Sequence, residues 1–297
     1  MRVFLTGATG FIGAKVAQEL IRAGHQVLGM TRSDSGAKAL AMMGAEVHRA
    51  ELGDLDAMRA GAAQADAVIH TAFDHDFSRY VANCEQDRRV IGALGAELKG
   101  SARPLIITSA VGIGERGNSE PAIEAVLNLD HPVPRIASEL AGNDVLASGV
   151  DVRVVRLPQV HDDVKQGLVT PYVALCREKE MVAFVEEGAN RWSAAPVADV
   201  ARLFRLAMER GQAGERYNAV AEEGVPFHQI AKAVGRGLGK PVVSIPTEEA
   251  PSYFGWFAMF ASLDMSASSA WTRSRLGWES TGPDLLDDIA RMSFFLP

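Results

Sequence analysis

Cysteine is scarce in this chain: Cys84 and Cys176 are the two in 297 residues. Two thiols build neither a disulfide framework nor a thiolate metal centre, and they fit a reducing, cytoplasmic setting. No apolar stretch reaches the ~20 residues that span a bilayer. The first apolar residues read as a core strand, not as a secretory leader, so no membrane partner is expected. Positive charge is not in excess either. Lys and Arg number 30 against 37 Asp and Glu, a net charge of −7, and no broad basic face for nucleic acid is expected. His70, His75, His131 and His228 lack ligand spacing. The turn Asp74-His75-Asp76 reads as solvated, so no metal site is expected. What remains is an ordinary composition in a length that suits one large domain, or a large domain with a smaller cap.

Glycine is present where it matters. Thr6-Gly7-Ala8-Thr9-Gly10-Phe11-Ile12-Gly13 follows the apolar run Val3-Phe4-Leu5 and precedes a helical pattern. A glycine-rich turn between a first strand and a first helix is the arrangement that receives a dinucleotide diphosphate. Gly7 permits the turn, Gly10 lets phosphate approach the backbone, and Gly13 lets the helix lie close on the sheet. Open first-turn amides and the helix dipole then favour the negative charge. The remaining reading is an ordinary tight turn.

Strand-like segments recur at 2–5, 26–30, 46–49, 67–71, 105–108 and 151–156, short, apolar and rich in Val or Ile. Such runs suit strands buried on both faces of a parallel sheet. Helical patterns lie between them: the stripe Ile12, Val16, Leu20, Ile21 closed by Gly24, then 56–63, 86–98 and 138–148. The alternation predicts a Rossmann-type, doubly wound α/β sheet with right-handed crossovers. Beyond Arg156 the rhythm breaks, apart from a helix over 197–210. The expected division is a nucleotide-binding domain of residues 1–156 plus 196–224 and a discontinuous, smaller substrate cap of 157–195 plus 225–297. A small-molecule substrate would bind between them, at the carboxyl ends of the strands.

The second strand leads into Thr31-Arg32-Ser33-Asp34. A carboxylate at the strand end would accept from a free ribose 2′-hydroxyl; here Arg32 and Ser33 precede any acid and suit a 2′-phosphate. NADP(H) is therefore favoured over NAD(H). The other reading makes Arg32 a solvated cation and folds Asp34 back to the ribose. Asp54-Leu55 is placed to meet the adenine, although Asp54 equally reads as a helix cap. Thr71-Ala72-Phe73 should line the middle of the cofactor.

Together these residues resemble the short-chain dehydrogenase/reductase superfamily, in its extended, NAD(P)-dependent epimerase/dehydratase-like branch. The resemblance runs through the glycine motif, Gly53-Asp54-Leu55, Ile107-Thr108-Ser109-Ala110, Arg156-Leu157-Pro158, Val197-Ala198-Asp199-Val200 and Arg275-Leu276-Gly277-Trp278. It implies cofactor contacts at Gly7, Thr9, Gly10, Phe11, Ile12, Gly13 and Thr108, and a homodimer. It also implies a Ser beside a Tyr-x-x-x-Lys pair, in which Lys lowers the Tyr pKa and Tyr moves the proton. Ser109 fits the Ser. None of Tyr80, Tyr172, Tyr217 and Tyr253 has a lysine four residues on. The corresponding segment, Val133-Pro134-Arg135-Ile136-Ala137-Ser138-Glu139, puts Arg135 at the Tyr position and Glu139 at the Lys position.

A guanidinium stays protonated, so Arg135 reads as an electrostatic stabiliser of a carbonyl or carboxylate, or as an i, i+4 surface partner of Glu139. Ser109 is expected either to bond a substrate oxygen or to satisfy the backbone. His161, in the loop after the sixth strand, is the candidate acid by its ordinary pKa; Tyr80 and Tyr172 are the alternative phenols. The aromatic run 253–260 reads as pocket wall, subunit contact or cap core, and Trp192 as packing. The leading expectation is an atypical NADP(H)-dependent oxidoreductase acting on a carbonyl or hydroxyl of a small organic molecule, with Ser109, Arg135 and His161 at its centre. The alternatives are a non-catalytic or regulatory nucleotide-binding protein and a nucleotide-sugar epimerase or dehydratase.

Overall fold

The computed structural model describes residues 1–117 and 120–293. Strand and helix alternate through the first half: β1 (Arg2–Thr6), α1 (Phe11–Arg22), β2 (Gln26–Thr31), α2 (Asp34–Met43), β3 (Glu46–Arg49), α3 (Leu55–Ala63), β4 (Ala67–His70), α4 (Tyr80–Leu98), β5 (Leu105–Ala110), α5 (Ile136–Ala147) and β6 (Val152–Leu157). The second half supplies β7 (Gln159–His161), α6 (Val169–Glu178), β8 (Val182–Val185), β9 (Arg191–Pro196), α7 (Val197–Arg210), β10 (Arg216–Asn218), β11 (Glu222–Pro226), α8 (Phe227–Leu238), β12 (Val242–Ile245), α9 (Ala250–Phe254), α10 (Ala258–Ala261), α11 (Ala270–Leu276) and α12 (Leu285–Arg291).

Seven strands form one parallel sheet in the order β10-β6-β5-β4-β1-β2-β3. Successive residues of a strand face opposite sides, and β1 shows the result. Val3 and Leu5 join the layer of Val16 and Leu20 from α1 and Val200 and Phe204 from α7. Phe4 joins Met58 of α3, Ile91 and Leu94 of α4 and Val145 of α5 on the other face. Both faces are covered, which is why these strands read as apolar runs. The order of connection reverses between β1 and β4, and that switch point opens the crevice where such sheets receive ligands.

Two small sheets, β11-β9-β7 and β12-β8, complete the structure. Around them Tyr172, Trp192, Phe227, Phe254 and Phe257 form a separate aromatic core. The aromatic run therefore divides: Phe254, Phe257 and Phe260 are buried there, while Trp256 and Met259 remain exposed. Leu276 and Trp278 belong to the main-sheet core instead, and the Trp278 indole donates to the Asp199 carbonyl (2.9 Å). Part of the segment expected in the cap thus packs on the first core.

Candidate cofactor and active site

β1 turns at Gly7, whose φ is 67°, a left-handed conformation that glycine adopts without strain. The Gly10 amide donates to the Gly7 carbonyl (2.8 Å), and α1 starts with no side chain capping its amides. A Cβ on Gly13 would stand 2.0 Å from the Gly7 oxygen, and one on Gly7 2.8 Å from the Ala72 nitrogen. Turn, helix and the segment after β4 touch backbone to backbone. Thr9 is exposed and Phe11 and Ile12 are half-buried along this cradle. The donor set is uncapped N–H groups at a helix start, which fits a diphosphate.

At the end of β2 the side chains separate by role. Ser33 caps α2, its hydroxyl accepting from the Gly36 amide (3.0 Å). Asp34 is turned to Arg49 at the end of β3, not back over the strand end. Arg32 is exposed. Asp54 caps α3 by accepting from the Ala57 amide (2.9 Å), and Leu55 packs on the core beside it.

Behind the carboxyl ends of β4 and β5 lies a buried polar network. His70 of β4 bonds Thr6 through Nδ1 (2.7 Å) and Asp87 of α4 through Nε2 (3.0 Å). Arg135 donates from Nη1 to Asp87 and to Ser138 Oγ (both 2.6 Å), and from Nη2 to the Thr108 carbonyl (3.0 Å). Ser138 in turn donates to Asp87 (2.6 Å), and the Thr108 hydroxyl to the His70 carbonyl (2.8 Å). Thr71 donates to the Thr6 carbonyl (2.7 Å), and the Ala72 amide to the Thr6 hydroxyl (3.2 Å). Burial pushes the Asp87 carboxyl up, but the Arg135 cation and the bonds from His70 and Ser138 outweigh it and hold it below the ordinary carboxylate range. The outer face of the Arg135 guanidinium lies 4.1 Å over the Phe73 ring.

Glu139 lies one turn into α5 and does not pair with Arg135, correcting the i, i+4 surface reading. Its carboxylate takes two bonds from Arg156 (2.7 and 2.9 Å), one from Arg216 (2.8 Å) and the Ser109 hydroxyl (2.7 Å). Burial raises this group too, and the Arg156 contacts reverse the direction and keep it charged. Ser109 is thus a donor to Glu139, 3% exposed.

His161 is fully buried. Its Nδ1 meets Asp288 (2.7 Å), its Nε2 has no partner among the described residues, and its burial closes it to solvent. Burial lowers its pKa, against the pull of Asp288. Tyr172 is enclosed in the cap core, donating to the Ala183 carbonyl (2.7 Å). Tyr80 is the phenol beside the network: it packs edge-on against Phe73 (6.2 Å between centroids), and burial pushes its pKa up to about 12. A recess of about 360 Å³ on the cap, lined by Phe184, Glu186, Glu187, His228, Lys232 and Ser244, includes none of these groups.

Sequence reasoning missed His70, Asp87 and Arg216. The signal was available: a histidine ending an apolar strand, and an aspartate inside the apolar stripe Cys84, Val90, Ile91, Leu94 of α4, both demand a polar partner.

The model of the NAD(P)H-binding family matches residues 7–202. An uncharacterized protein of Schizosaccharomyces pombe is 40% identical over 99% of this chain and 100% of its own length. One of Saccharomyces cerevisiae is 37% identical over 97% and 98%. The crystal structure of a UDP-glucose 4-epimerase from Thermotoga maritima superposes with a TM-score of 0.77 at 22% identity, covering 99% of this chain and 97% of that one. The chain belongs to the NAD(P)H-binding family, on the Rossmann frame of the extended short-chain dehydrogenase/reductases.

Proposed function

We propose that the protein is an NADP(H)-dependent oxidoreductase that acts on a carbonyl or hydroxyl group of a small organic molecule. The observation that carries this reading is Arg135, a fixed cation beside the ends of β4 and β5 with Phe73 against its face. Asp87 and Ser138 hold the guanidinium in one orientation, so it polarises a substrate oxygen without reorganising. Nicotinamide, when bound, supplies or accepts the hydride. Arg32, with Asp34 drawn off to Arg49, supports a 2′-phosphate and hence NADP(H).

The Ser109 hydroxyl donates its hydrogen bond to Glu139 and serves in this reading as part of the wall. His161 is enclosed, so in this reading the proton comes from Tyr80, the phenol packed on Phe73 beside the network. The test is NADPH consumption against aldehydes, ketones and oxo acids, with Tyr80→Phe beside the wild type. Loss of a general acid lowers kcat by about 10²–10⁴-fold, with NADPH affinity retained. An unchanged kcat removes Tyr80 from the reaction.

One observation favours a second reading, a regulatory NAD(P)-binding protein without turnover. Ser109 is committed to Glu139, which Arg156 also holds, and Ser138 to Asp87, all inside the fold. Tight NADPH binding with no consumption across the panel would decide for it.

A further inference from the structure

Arg135 is paired with Asp87 (2.6 Å), and a second cation, Lys165, reaches the same face. Phe73 meets the His75 ring edge-on at 5.2 Å between centroids. Lys165, in the loop after β7, places its ammonium 5.8 Å over Phe11, the first residue of α1. Arg135 and Lys165 are both close enough to add to burial in lowering the His75 imidazole. Two of the neighbouring acids make backbone bonds and pair with neither cation. Asp162 accepts from the amides of Val164 (2.9 Å) and Lys165 (2.7 Å), and Asp74 from that of Asp76 (3.0 Å). The Arg135 bonds to Asp87, Ser138 and Thr108 use Nη1 and Nη2 and leave Nε aside. Lys165, which has no carboxylate partner among the described residues, and the Arg135 Nε that those bonds leave aside together suit an anion from outside.

The rest of this face is aromatic. Tyr80 packs on Phe73 and on Phe77 (5.2 Å). Trp256 of the cap stacks on Phe77 at 4.8 Å, within 10° of parallel, and is 46% exposed. Such rings receive an apolar body.

Resting on the oxidoreductase reading, we infer that the substrate is an organic carboxylate with an apolar or aromatic body, an oxo or hydroxy acid. Lys165 and Arg135 Nε hold its carboxylate, and Phe77 and Trp256 flank its body. A neutral analogue forfeits the charge-assisted bonds.

The experiment is calorimetric titration of the NADP⁺-loaded protein with phenylacetate and with phenylacetamide, which share a shape and differ in charge. Phenylacetate should bind about ten-fold or more tightly than the amide, a difference that 1.4 kcal/mol supplies. Lys165→Met, at an exposed position, should remove most of that preference and leave NADP⁺ affinity within about two-fold. Trp256→Ala should weaken both probes. Equal binding of the two probes overturns the inference. So does a Lys165→Met variant that loses NADP⁺ and keeps phenylacetate, because the lysine then serves the cofactor diphosphate. Probe binding needs no turnover. Charge-selective binding without NADPH consumption sinks the redox reading alone, and consumption of neutral carbonyls without charge selection sinks this one alone.

Discussion

Arg135 and Asp87 show how a buried charge can be read chemically. Each is almost fully enclosed, 2.6 Å apart, and neither is cheap to leave alone. Removing one partner of a buried pair costs about 3–5 kcal/mol, whereas replacing both with apolar groups costs much less. Asp87→Asn should therefore lower unfolding free energy by that order, and Asp87→Leu with Arg135→Met should recover part of it in denaturant titrations. Additive losses in the double variant would contradict the pairing. Arg32 makes the opposite case, an exposed cation with no ion pair among the described residues. Arg32→Glu should weaken NADPH binding relative to NADH without changing the melting temperature. Affinities unmoved by that charge reversal would place the 2′-phosphate elsewhere. Sequence alone put Arg135 at a special position but assigned its partner by helix spacing. That assignment failed because burial brought Asp87 from α4, 48 residues away.

At the scale of elements, the glycine turn and α1 were legible because each constraint is local. Backbone approaches backbone, and only glycine fits. Gly13→Ala should force the turn open, since its Cβ would fall 2.0 Å from the Gly7 carbonyl. The expected loss in NADPH affinity is about ten-fold or more, read by calorimetry on the folded variant; undiminished affinity would mean that the diphosphate does not rest there. The central strands were legible for a related reason, burial on both faces. α2 was not, because its alanine-rich Asp34–Met43 buries only Gly36 and Leu40 and leaves no stripe to read. The start of α4 was placed six residues late, at 86 instead of Tyr80. Phe77 and Tyr80 pack there against the cap and the site, not along a helical seam.

For the whole molecule, the networks bind stability to pH. Asp87 and Glu139 have pKa values lowered by folding, so the fold gains from their ionisation above the unfolded carboxylate pKa of about 4 and loses it as pH falls toward their folded values. His131 and His161 are lowered as well. They stay neutral in the fold and begin to disfavour it as pH drops below about 6.5. The melting temperature should hold near neutrality, decline from about pH 6.5 and fall more steeply below pH 4. A melting temperature that rose between pH 7 and pH 5 would contradict these assignments. Trp278 reaches back to α7 from a segment whose local pattern belongs to no strand or long helix, a contact that sequence periodicity does not announce.

All of these scales meet at the crevice between β1 and β4. Calorimetric titration of the wild-type protein with NADPH and NADH tests it most directly. One site per chain and an NADPH affinity about ten-fold or more above that for NADH are the predicted result. No heat from either nucleotide, with the protein folded, would contradict the account at its root.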